Sequence, residues 1–152
     1  MEDNHSQICF YSYNTRGHGA NKLQFINDIV KLPSRRDNIF SIQVHFLLRN
    51  NLYKLTNAFE DFAVIAKPAF KNFHSSSSGR PMGGLATILP KKYRKLVELI
   101  HCSSWRLQPF LLKLQNETIM IINTYFQLKI INRGNHRFSW YSCWNKSYHW
   151  NT

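Results

Sequence analysis

The sequence predicts a single domain of class α/β (α+β), with a mixed sheet carrying helices on its outer face and a second half made of strands. Three observations predict it. Apolar residues recur first with period two and then with period 3.6, in β-α-β-α-β order, between Ile8 and Ala66. From Leu85 the helical period fades, and short β-rich runs are separated by polar turns. With 43% apolar and 14% aromatic residues in a chain of 152, there is enough to bury a core. A domain of this length hides roughly two thirds of its unfolded surface.

Residues 8–13, ICFYSY, alternate faces and are rich in β-formers, which predicts a strand ending at Asn14. The next residues, TRGHGA, make a glycine-containing loop. Leu23, Phe25, Ile26, Ile29 and Val30 then fall on one side of a helix, with Asn21 placed to cap it and Pro33 to end it. IFSIQ at 39–43 is a second strand. Leu52, Leu55, Ala58 and Phe59 predict a second helix, and FAVIA at 62–66 a third strand stopped by Pro68. SSSSGRPMGG at 75–84 is a loop of small residues opening a strand from Leu85 to Leu89. Further strands are expected at 96–101, 105–114 and 118–125, the last two joined across Gln115-Asn116-Glu117. Beyond about Ile130 neither period persists; that tail holds three of the four tryptophans and no Asp or Glu.

Charge is the strongest feature of the composition. Twenty Lys and Arg against eight Asp and Glu give +12, grouped as Lys31 with Arg35 and Arg36, KKYRK at 91–95, and Arg133 with Arg137. Such a balance concentrates polyanions, of which nucleic acid is the commonest; the plainer alternative is a solvated surface. Cys9, Cys102 and Cys143 are odd in number and lack metal-ligand spacing, which predicts free thiols in a reducing compartment. No run of about 18 apolar residues is present to span a membrane. The start, MEDNHSQ, is acidic and polar, unlike a secretion signal, so an intracellular location, nuclear or cytoplasmic, is expected. No small-molecule substrate is evident.

Four segments come in order: FYSYNTRG at 10–17, NIFSIQVHFL at 38–47, GRPMGGLATIL at 79–89 and IMIINTYFQ at 119–127. Together they resemble the endonuclease/exonuclease/phosphatase superfamily, of DNase I-like fold, and look most like the endonuclease domain of non-LTR (LINE-type) retrotransposons. That family's pattern is roughly S-Y-N-x-R-G, L-Q-E-x-W-L, G-R-P-x-G-G and N-x-Y-x-P. The resemblance implies a two-sheet DNase I-like sandwich with flanking helices and an active site where strand ends converge. It covers residues 8–128 as a partial domain, leaving a disordered N-terminus at 1–7 and a divergent tail at 129–152. The later motifs, G-D-x-N and S-D-H, are absent, so the sandwich is expected to be incomplete at the C-terminus.

In that family a divalent metal, usually Mg²⁺, is held by acidic residues, and a His-Asp pair helps to activate the water that attacks a DNA phosphodiester. Mg²⁺ is hard and is commonly fixed by one or two carboxylates. The match implies that Asn14 helps to organise the metal and phosphate site and that Tyr125 stands beside the scissile phosphate. Taken alone, Asn14 reads as a strand-ending turn residue and Tyr125 as a packed aromatic. The glutamate of the Q-E pair stands here as Val44, which cannot ligate a cation. Asp37, seven residues upstream, is about 23 Å away along an extended strand. Glu60 and Asp61 lie beyond a predicted helix. His45 in a regular strand points to the opposite face, and imidazole suits Mg²⁺ poorly. Gln127 replaces the expected proline, and His136 and His149 match neither later motif.

Mg²⁺ is therefore not expected to bind, and the first expectation is a truncated, degenerate endonuclease domain without catalysis. The alternative is a basic module that binds DNA or RNA without chemistry, through Arg16, Arg80, Lys91, Lys92, Arg94 and Lys95, with Tyr93 and Trp140 stacking on bases. An active Mg²⁺-dependent endonuclease is the third. KKYRK also reads as an exposed turn between two strands. An incomplete second sheet is expected to leave an edge strand and an apolar face exposed.

Overall fold

The computed structural model describes residues 8–70 and 81–125. The expectations for residues 1–7, Arg80, Gln127, Trp140, Cys143 and the tail from 129 fall outside them. Two sheets lie face to face. The first holds β1 (Phe10–Asn14), β2 (Ile39–Gln43), β3 (Phe62–Lys67) and β4 (Leu85–Pro90), in the order β1-β2-β4-β3. The second is an antiparallel meander of β5 (Val97–Leu99), β6 (Leu107–Lys113) and β7 (Thr118–Thr124). β1 and β2 run parallel because helix α1 (Ala20–Val30) carries the chain back between them. β4 is antiparallel to both of its neighbours.

The register defines two ends. Asn14 lies opposite Gln43, and Gln43 and Lys67 both lie opposite Leu85, so these residues share one end of the first sheet. Pro90 lies opposite Phe62 at the other end, about 17 Å along β4 from Leu85 at the usual rise per residue.

α1 and the short α2 (Tyr53–Ala58) cover the outer face of the first sheet. Leu23, Ile26 and Val30 of α1 and Leu55 of α2 pack with Phe40 and Ile42 of β2 and with Ala86 and Ile88 of β4. Two expectations for α1 are corrected. The helix begins before Asn21, behind Gly19, and has no side-chain cap, so Asn21 lies within the first turn. Phe25 faces out, 52% exposed, with its ring near that of Tyr13, because the buried stripe of Leu23, Ile26 and Val30 leaves it on the other side.

The layer between the sheets changes character along its length. At the Pro90 end it is apolar, built from Ile39, Ile65, Leu89 and Leu112. Tyr93 belongs to this cluster, which corrects its expected role in stacking on bases. It sits in the 3₁₀ turn Lys91–Leu96 that links β4 to β5, and that turn directs its ring inward while Lys91, Lys92, Arg94 and Lys95 stay exposed. At the Asn14 end the same layer is polar, holding Gln43, Thr87, Gln108 and Asn123.

On the outer face of the second sheet, Met120 (59% exposed) and Ile122 (52% exposed) project from β7, paired across the ladder with Leu111 and Pro109. Among the described residues β7 is one edge of that sheet, and no helix is long and apolar enough to cross a membrane. Cys9 and Cys102 are free thiols.

Candidate functional site

β2 ends at Gln43 because the backbone after it turns into the left-handed region, with φ of 62° at Val44 and 60° at Phe46. That conformation is costly for any residue but glycine, most of all for a β-branched one. Hydrogen bonds from three segments hold it. Val44 N–H donates to Gly84 O at 2.8 Å and Phe46 N–H to Gly83 O at 3.0 Å. Gly17 N–H donates to Val44 O at 2.7 Å, and the buried Thr15 hydroxyl reaches the carbonyls of Gln43 (3.0 Å) and Val44 (3.2 Å). The three motif segments that sequence placed far apart are thus tied into one corner.

Gly83 and Gly84 in that corner are both required. Gly84 has φ +90° and a Cβ there would run into the His45 ring; Gly83 has φ +75° and a Cβ there would lie 2.5 Å from Trp105 Cζ3. Such positive φ values alone select glycine.

Val44 is buried, 4% exposed. His45 is wholly buried, and the alternation expected of a regular strand does not apply to it, since the strand has already ended. Its Nδ1 accepts the Leu47 N–H at 2.9 Å, which puts the ring proton on Nε2, facing Leu85 O at 3.4 Å. Burial pushes its pKa down from the usual 6.5 to about 4, with the neighbouring His18 acting in the same direction. A neutral imidazole with both nitrogens engaged is a structural post, not a ligand.

Behind the corner, side-chain amides bridge the sheets. Gln43 Nε2 donates to Ser12 Oγ (2.8 Å) on β1 and to Asn123 Oδ1 (3.0 Å) on β7. Asn123 Nδ2 lies 3.0 Å from Ala86 O and 3.4 Å from Ile42 O. The Thr87 hydroxyl donates to Gln108 Oε1 at 3.0 Å, and Gln108 Nε2 donates to Ile65 O at 3.1 Å. Sequence reasoning missed Asn123, Gln108 and Thr15. The first two had a signal: each is polar on the inward-facing register of a strand, and Asn123 is the Asn of the N-x-Y segment.

The residues singled out from sequence divide between the two ends. Asn14 is exposed at the tip of β1, where its Oδ1 accepts the Arg16 N–H at 3.2 Å and so makes the turn that follows the strand. Tyr125 follows β7 at the same end, half-buried, its N–H donating to Arg106 O at 3.0 Å. Arg16 is exposed there too. Lys91, Lys92, Arg94 and Lys95 are at the Pro90 end, and Lys92 pairs with Asp37 at 2.5 Å. The structure places Asn14, Arg16, Val44 and Tyr125 at one end of the two sheets and the KKYRK cluster at the other.

Charge follows the same division. The described carboxylates, Asp28, Asp37, Glu60, Asp61, Glu98 and Glu117, occupy the late turns of α1, the entries to β2 and β3, and the parts of the second sheet remote from Asn123. Three of them pair with Lys31, Lys92 and Lys113. The Asn14 end holds Arg16, Lys22, Lys67 and Arg106. Lys22 Nζ donates to Thr15 O (2.9 Å), and Lys67 Nζ donates to Cys102 O (2.7 Å) and Leu107 O (2.9 Å). This donor set does not fit Mg²⁺, which takes oxygen ligands with at least one carboxylate in most protein sites. Ammonium and guanidinium groups around committed amides suit an anion instead.

No family model and no curated protein matches the chain. Among solved structures, the chain is similar to the AP endonuclease LMAP from Leishmania major, with a TM-score of 0.52 at 14% identity. The likeness covers 76% of this chain and 39% of that one. The fold is the DNase I-like sandwich. In this fold, the corner of residues 14–17, 43–46 and 83–84 lies where the strands of the first sheet end. A likeness at this identity concerns the backbone, so the chemistry of the corner rests on its own side chains.

Proposed function

We propose that this chain is a DNase I-like domain that holds nucleic acid without cutting it, related to the endonuclease domains of LINE-type retrotransposons. One observation carries the reading: the end that holds Asn14, Val44 and Tyr125 bears Arg16, Lys22, Lys67 and Arg106 and, among the described residues, no carboxylate. The four ordered motifs support the origin, and the similarity to an AP endonuclease supports a nucleic acid as the polyanion. Val44 supports the loss of Mg²⁺, since an aliphatic side chain stands where a carboxylate is needed. What remains is an anion site, in which cations meet phosphates and release counterions.

Two measurements test this. Supercoiled plasmid incubated with the chain and Mg²⁺ is expected to stay intact, and to stay intact with Val44→Glu, because one carboxylate among several cations is not a ligand set. Nicking by the wild-type chain that a chelator stops would overturn the reading. Binding to duplex DNA is expected to weaken with salt, with a log–log slope of about −3 for contact with three or four phosphates. A specific alternative comes from Lys91, Arg94 and Lys95, which are exposed at the Pro90 end. If alanines there abolish binding while Lys22→Ala and Arg106→Ala do not, the contact lies at that end.

A further inference from the structure

Beside the corner, two ring systems and a guanidinium are assembled by main-chain contacts. Phe70 and Met82 form an isolated antiparallel bridge, with reciprocal N–H···O bonds of 2.9 and 2.8 Å. This sets Phe70 against Trp105, ring centroids 6.2 Å apart and planes within 17°. Arg106 Cζ lies 4.6 Å from the Trp105 centroid, and the close approach of Trp105 to Gly83 fixes the indole against the floor of the corner. The Lys67 ammonium clamps the segment before β6 through the carbonyls of Cys102 and Leu107. Phe70 is nevertheless 44% exposed, and Met82 is 38% exposed.

Single exposed aromatics are ordinary on protein surfaces. Here two near-parallel rings, an arginine over one of them and a thioether are gathered at the end of the molecule that bears cations and, among the described residues, no carboxylate. Every nucleobase has a π face, and stacking on a fixed aromatic surface with cations placed for the adjoining phosphates is the chemistry of single-strand binding. We propose that Phe70, Trp105 and Arg106 form a stacking platform for an unpaired nucleobase, with Phe70 presenting the receiving ring. The proposal rests on the nucleic-acid reading above and adds to it a contact with bases in place of backbone alone. A duplex hides the faces of its bases, so single-stranded nucleic acid is the substrate class that the platform takes.

The test compares a short oligothymidylate with an abasic strand of the same length and charge. Wild type is expected to prefer the oligothymidylate about tenfold, the usual scale for one stacked base. Phe70→Leu keeps apolar packing on Trp105 but has no π face; it is expected to bind both strands at the abasic level, with the salt slope unchanged. Phe70→Trp is expected to keep the preference, and circular dichroism of both variants checks the fold. If Phe70→Leu weakens both strands equally, or neither, the platform is overturned and phosphate binding stands. If wild type binds neither strand, both proposals fail. If Phe70→Trp folds and also loses the preference, the ring is not the receiving surface.

Discussion

Val44 and His45 show how a position can be read correctly for what it lacks and still be misread for where it points. The absence of a carboxylate was legible in the sequence, but the direction of His45 was not, because it depends on a backbone that leaves the strand one residue earlier. That departure is stabilised by carbonyls of Gly83 and Gly84, residues with no detectable link to Val44 before folding. Gly84→Ala is expected to destabilise the chain by more than about 2 kcal/mol, through a positive-φ penalty plus collision with His45, measured by urea denaturation. His45 makes a second prediction. Its folded-state pKa of about 4 is below the usual 6.5, so its neutral form is favoured by folding. The stability it contributes is complete above pH 6.5 and is lost as pH falls towards 4, by up to about 3 kcal/mol. A His45→Gln chain, whose side chain does not titrate, is expected to lack that part of the slope in denaturation curves recorded across the same range.

Among elements, β6 and β7 were legible because one buried face imposes period two, whereas β2 and β4, buried on both faces, read as short apolar runs; β2 was bounded at Ile39 and Gln43 from sequence alone. β5, expected at 96–101, is only Val97–Leu99, because the KKYRK segment before it coils as a 3₁₀ turn around the buried Tyr93. The start of α1 was displaced because Asn21 has the chemistry of a cap but lies two residues after the capping position, Gly19. The contact between sheets was not legible at all, since Gln43 and Asn123 are brought together only by stacking. Asn123→Leu is expected to cost about 2–4 kcal/mol, as it strips partners from Gln43 and from the Ile42 and Ala86 carbonyls. A double-mutant cycle of Gln43→Ala with Asn123→Ala is expected to give a coupling of about 1 kcal/mol or more; additivity would mean that the amides act independently.

For the whole molecule, a net charge of +12 was legible, but its distribution was not, because β4 returns the KKYRK cluster to the end remote from Asn14. The outer face of the second sheet carries its own expectation. Ile122→Lys, at a 52% exposed site on β7, is expected to reduce self-association in sedimentation experiments while leaving thermal stability within about 0.5 kcal/mol. Between the sheets, the amide bridge has a kinetic consequence. Two greasy layers can slide or loosen by degrees, whereas directional bonds between Gln43, Asn123 and the Ile42 and Ala86 carbonyls are either all aligned or broken. Separation of the layers should therefore be an all-or-none event at that end, with deuterium entering the amides of β2, β4 and β7 together, and frayed, graded exchange confined to the apolar Pro90 end.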